Sequence, residues 1–154
     1  MRIVTGIAGM VGGAFLAGCV TPAQSFQFDN SRTVDAGFDQ TWERTIGVLA
    51  SNNLPVKTLE KASGLIVAEN ELVSFTTMGE AASCPASPLI TPIGGIMNYN
   101  IFVRKLSETQ TTVAVNTKYN MRYRDMNSAI VSDTCNSNGN VERKLLNAIS
   151  GVAE

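Results

Sequence analysis

An α+β fold is predicted, a two-layer sandwich in which an antiparallel sheet of about four to five strands carries two amphipathic helices on one face. Three observations predict it. The segments 38–49 and 141–152 both repeat apolar residues at spacings of four, four and three, which lines one face of a helix. Thr111 to Arg124 alternates apolar and polar residues along its whole length, the pattern of a strand with one face on a core and one in water. An apolar stripe on each helix and one apolar sheet face bury each other, and 154 residues suffice for one such domain.

The chain opens on Met1 and Arg2, followed by the uncharged run IVTGIAGMVGGAFLAG. One positive charge and then an apolar run ending in small residues is the layout of a secretory signal peptide, here residues 1–18, and the run is too short and glycine-rich for a membrane span. A buried N-terminal helix is the competing reading, but Gly6, Gly9, Gly12 and Gly13 would each weaken it by about 0.5–1 kcal/mol relative to alanine. Residues 20–31, VTPAQSFQFDNS, have no sustained period and read as a tether. The domain, residues 32–154, then starts on a short strand around Arg32-Thr33-Val34.

Phe38, Trp42, Ile46 and Leu49 share one helix face, with Gln40, Glu43 and Arg44 on the other. Asp39 is the expected N-cap, Glu43 favours the first turn, and the helix ends at Ser51-Asn52-Asn53 ahead of Pro55. Trp42, the only tryptophan, belongs to the core on this pattern. Val56–Glu60 and Leu65–Glu69 form a hairpin around Lys61-Ala62-Ser63-Gly64, with the glycine where a positive φ is tolerated. A weaker extended run covers Leu72 to Thr77. Residues 78–97, MGEAASCPASPLITPIGGIM, hold three prolines and three glycines and read as a long loop, either functional or pinned by Cys84. Tyr99 to Arg104 leads through Ser107–Gln110 into the alternating strand, forming a second hairpin. A polar loop carrying Cys135 follows. The last helix starts near Asn138 to Asn140, with Val141, Leu145, Ile149 and Val152 inward and Glu142, Arg143 and Lys144 outward.

Leu16-Ala17-Gly18-Cys19, at the end of the leader, resembles the lipobox of bacterial lipoprotein precursors. In that family a diacylglycerol thioether is built on the cysteine, a peptidase cuts just before it, and the new amino terminus is acylated. The resemblance implies lipidation at Cys19 and a lipidated N-terminus and tether over residues 19–31. Val20 follows the cysteine where members kept at the inner membrane commonly carry Asp, so the resemblance implies an outer-membrane anchor with the domain on the periplasmic side. Several acyl chains would anchor it stably, because each buried methylene contributes about 0.8 kcal/mol.

Removing residues 1–18 deletes Arg2 alone, leaving 11 basic groups against 13 acidic ones, a net charge of minus two. A nucleic-acid role is not expected without a basic face or a high pI, nor is a polybasic membrane patch. With Cys19 lipidated, Cys84 and Cys135 are an even pair in a compartment where disulfides persist. Pairing them is expected and would contribute about 4 kcal/mol in the chain-entropy picture; two free thiols acting as small apolar fillers are the alternative.

The chain has no histidine, which removes histidine-based triads, Cys–His pairs and histidine-containing metal sites. No nucleophile-elbow or phosphate-loop motif occurs. Glu69 and Glu71 would share a strand face, as a carboxylate pair for acid–base work or calcium would, but no third ligand lies nearby in sequence. Asp125-Met126-Asn127 begins like a calcium loop without the glycine and glutamate that would complete it. No catalysis, cofactor or metal is therefore expected. Lys118, Arg122 and Arg124 share one parity of the alternating strand, opposite the helices. They either form a dock for an acidic envelope partner or are an ordinary solvated face. Leu89, Ile90 and Ile93 in the 78–97 loop could line a small-molecule or glycan pocket.

The stretch FDQTWERTIGVLASNNLPVKTLEKASGLIVAE resembles the repeating unit of BamC-type envelope lipoproteins: an opening aromatic, a Trp-bearing helix, a strand, then an S-G turn into an apolar strand. BamC-type proteins have two such domains and a long disordered tether, whereas one domain and a short tether are read here. The expected function is an outer-membrane-anchored, non-catalytic interaction or scaffold module of the cell envelope, partnered with the membrane through its lipid and with an envelope protein or cell-wall component. A periplasmic small-molecule or glycan binding module is the alternative.

Overall fold

The computed structural model describes residues 20–152, so the signal peptide, the LAGC motif and Cys19 lie outside the described residues. The fold is α+β, and the described residues form an antiparallel seven-stranded sheet and three helices in the order β1 (Ser31–Val34), α1 (Phe38–Ser51), β2 (Val56–Glu60), β3 (Leu65–Val73), α2 (Phe75–Ala81), β4 (Ala82–Ser83), β5 (Ile90–Lys105), β6 (Thr111–Asp125), β7 (Ile130–Ser137) and α3 (Asn140–Ser150). The strand count exceeds the four to five expected. Spatial order is β2-β3-β5-β6-β7-β4, with β1 also on β6. β6 is long enough to seat two strands on one edge: β1 pairs with Thr111–Ala114 and β7 with Tyr119–Arg124.

The alternation of β6 places Val113, Val115, Tyr119, Met121 and Tyr123 in the core. β5 answers with Met97, Tyr99, Ile101 and Val103, and β3 with Ile66 and Ala68. The helices pack over this face. α1 buries Thr41, Trp42, Thr45 and Leu49, while Phe38 and Ile46 are half-buried at its margin. Phe38 stacks on Trp42 with ring centroids 6.0 Å apart. Arg32 donates to the Asn147 amide oxygen at 2.6 Å and to Ser150 Oγ at 3.1 Å, and Arg44 to the Ile149 carbonyl at 3.1 Å, tying the end of α3 to β1 and α1.

The first hairpin turns as expected. Gly64 has φ +70°, and a Cβ there would lie 2.0 Å from the Val103 carbonyl oxygen, so only glycine fits.

Other expectations are corrected. Residues 78–97 are not one long loop: they hold the end of α2, β4, a turn, and the first half of β5. Pro92 and Gly94 sit at a register shift, where Gly94 takes φ +110°, so the breakers bend a strand instead of ending it. Residues 75–77 of the run read as extended are the start of α2, capped by Ser74 Oγ, which accepts from the Thr77 N–H at 3.1 Å. The polar segment around Cys135 is strand β7, bonded to β6 on one side and β4 on the other. Gly37, not Asp39, precedes α1; Asp39 pairs with Lys61 at 2.9 Å and raises its pKa through that contact. Glu142 points inward, and Val152, beyond the helix end, is exposed.

Residues 20–31, expected to be a tether, instead lie along the domain, with Ser31 opening β1. Thr21 and Ala86 exchange two backbone hydrogen bonds at 2.8 and 3.0 Å, the Gln24 N–H donates to Ser83 Oγ at 3.0 Å, and the Val115 N–H donates to the Asn30 carbonyl at 2.8 Å.

Candidate functional site

The uncovered face of the sheet is polar because β6 alternates. On this face Asn116, Lys118 and Arg124 are exposed and Asn120 and Arg122 half-buried, and β5 sets Asn98 opposite Lys118 and Gly94 opposite Arg122. Arg122 and Arg124 are two residues apart, about 7 Å, whereas Lys118 lies about 20 Å from Arg124 along the strand. The two arginines thus form a close pair, and the lysine belongs to the same stripe at a distance. Among the described residues none of the three makes an ion pair. Asparagines join them: Asn30 donates to the Asn116 amide oxygen at 2.7 Å, and Thr134 Oγ to the Asn120 amide oxygen at 3.4 Å. This face offers positive charge and amide hydrogen bonds to an extended acidic or polar surface, and Lys118 also lines a shallow cavity with Phe26, Phe28 and Asn136.

The acidic candidates are put to structural use. Glu69 lies 3.7 Å from the Lys57 ammonium, and the Glu71 side chain is outside the described residues. The Asp125 carboxylate accepts from the backbone N–H groups of Asn127 at 2.9 Å and Ala129 at 2.8 Å, closing the β6–β7 turn with Ser128 at φ +65°. That turn explains the calcium-like opening of the motif. Among the described residues no group of three acidic or cysteine side chains is placed to hold a metal ion.

Cys84 and Cys135 are joined by a disulfide. Cys84 lines a partly open cavity of about 300 Å³ bounded by α2 (Phe75, Gly79), Ala82 and the segment 84–87, Ile90 and Pro92 of β5, and Met121 and Tyr123 of β6. Of the three residues expected to line a pocket, Ile90 does so, while Leu89 and Ile93 are exposed on the surface. The Tyr123 hydroxyl in this wall donates to the Pro85 carbonyl at 2.7 Å.

One feature was not anticipated. Glu142 is 1 % exposed, its carboxylate accepting from the hydroxyls of Thr117 and Ser137, the latter at 2.9 Å. Two charge-assisted hydrogen bonds offset part of the cost of burying it. Tyr119 lies beside them, its hydroxyl buried and without a hydrogen-bond partner among the described residues. Burial, reinforced by the Glu142 charge, raises the pKa of Tyr119 and pushes that of Tyr99 up to about 12. The signal was in the helix pattern: 142, 145, 146 and 149 are the buried positions of α3, and taking Val141 as the first inward residue missed Leu146 and turned Glu142 outward.

Among the described residues no helix is long and apolar enough to cross a membrane. No protein-family model matches the chain, and no curated protein matches it.

Proposed function

We propose that the chain is a lipoprotein anchored to the outer membrane through Cys19, its two-layer domain serving as a non-catalytic interaction module on the periplasmic side. The observation that carries the interaction role is the uncovered β6 face, where Arg122 and Arg124 stand together with no ion pair among the described residues. Paired arginines whose charges are not neutralised suit a carboxylate- or phosphate-bearing partner, because the guanidinium fork binds such groups in a bidentate way. The anchor rests on the leader and the LAGC motif. The alternative of a glycan module has weaker support, since the cavity lining is largely apolar and its Tyr123 hydroxyl is already bonded.

Two substitutions test the two parts. Cys19→Ser should accumulate as an uncut, unacylated precursor; normal cutting and membrane retention would overturn the anchor. Arg122→Glu with Arg124→Glu should leave folding intact and remove at least one envelope component from the set crosslinked to the protein in intact cells. An unchanged crosslinked set would overturn the dock.

A further inference from the structure

The apolar cavity behind α2 has an occupant within reach. Thr21 is fixed to Ala86 by a pair of backbone hydrogen bonds, and Ala86 is part of the cavity wall. Cys19 precedes Thr21 by two peptide units, so covalent geometry alone keeps its α-carbon within about 7.6 Å of that of Thr21. An acyl chain borne by Cys19 therefore has this wall within its reach.

We propose that the cavity is an acyl-chain site and that it takes one fatty chain of the lipid on Cys19 of the same molecule. The assignment rests on the lipoprotein reading above. The chemistry of the walls selects hydrocarbon. Ile90, Pro92, Met121 and Phe75 present apolar surface, the Tyr123 hydroxyl is spent on the Pro85 carbonyl, and Ser87 Oγ accepts from the Leu89 N–H at 3.3 Å. A polar ligand would find few free groups to orient it. The volume of about 300 Å³ is twice that of an apolar cavity that stays dry and binds benzene, which gives room for on the order of a dozen carbons. That is part of one fatty chain and too little for several. The remaining chains stay in the bilayer, so a seated chain holds the α2 end of the domain against the membrane. Phe75, which lines the cavity and is 55 % exposed, extends the apolar surface outward at that end.

The test supplies cells producing the full chain with a fatty acid carrying a diazirine near its terminal methyl. The lipidated protein is irradiated in native membrane vesicles, and crosslinks from the Cys19-borne chain are mapped. The expected result is intramolecular crosslinking to residues 75–92. Gly79→Leu should reduce it by about tenfold or more, because a Cβ at Gly79 meets no atom within 4 Å and a larger side chain can grow into the cavity. Ile90→Trp, filling from β5, should do the same, and Gly79→Ala should not. Crosslinks confined to bilayer lipids, or an undiminished yield in both filled variants, overturn the site. The mass of the N-terminal peptide separates the two ideas: an acylated Cys19 with no crosslink to 75–92 sinks the cavity assignment alone, whereas an unmodified Cys19 sinks the lipoprotein reading with it.

Discussion

Tyr99, Tyr119 and Tyr123 are all the tyrosines of the chain, and all three are buried on the helix-covered face of the sheet. Burial raises each phenol, Tyr99 from 10 to about 12 and the other two in the same direction. A phenol whose folded pKa lies above its unfolded value stabilises fully below the unfolded pKa, near 10, and that contribution is lost as pH rises toward the folded pKa. At pH 10 the native protein should therefore show less tyrosinate absorbance than the urea-unfolded chain, which is about half ionised. Between about pH 10 and 12 tyrosinate should appear together with loss of the Trp42 near-ultraviolet signal. A folded protein with half its tyrosines ionised at pH 10 would contradict this burial. The inward parity of Tyr119 and Tyr123 is legible in the sequence, because alternation along β6 fixes it. Glu142 was not legible, because a carboxylate on an apolar stripe reads as solvated until the Thr117 and Ser137 hydroxyls are known to meet it.

Among the elements, those with an unbroken period are legible as elements, namely α1, α3, β6 and the 56–69 hairpin, although the N-cap of α1 and the buried face of α3 are not. β5 was found only from Tyr99 onward, because Pro92, Gly94 and Gly95 are breakers when considered locally. Their use becomes visible only in three dimensions. A Cβ on Gly95 would lie 2.2 Å from the Asn120 carbonyl oxygen of β6 and 2.7 Å from the Met78 methyl of α2. The glycine lets β6 and α2 close on β5 at one point. β7 was missed for a different reason: most of it is exposed, so no apolar alternation marks it, and its pairing with β6 and β4 is made by backbone groups. Gly95→Ala should cost about 2 kcal/mol or more, since a backbone oxygen cannot move aside as a flexible side chain can. Gly47→Ala in α1, where an added Cβ meets nothing within 4 Å, should stabilise by about 0.5–1 kcal/mol. Urea unfolding of both variants measures this, and equal midpoints would remove the close-approach argument.

At the scale of the molecule the two ends are held by different means. One buried apolar cluster runs from Trp42, Leu49, Leu145 and Ile149 to Met78, Ala82 and Cys135, and at the end with β1, α1 and α3 the Arg32 and Arg44 hydrogen bonds support it. At the other end β4 is two residues long and pairs with β7 only through Ala82–Ser137 and Ser83–Asn136, next to a cavity. The Cys84–Cys135 disulfide, which spans 51 residues of sequence, ties this weaker end together. Replacing both cysteines by alanine should cost about 2–4 kcal/mol, a fall in Tm on the order of 10 °C. The loss should not be uniform, because regions with few buried contacts open first. Amide exchange should rise in residues 75–90 and 130–137 while α1 and α3 keep their protection. An even rise across the chain would mean that the disulfide supports the whole core. The uneven result would mean that it preserves the cavity end, where Thr21 pairs with Ala86 and the proposed acyl chain enters.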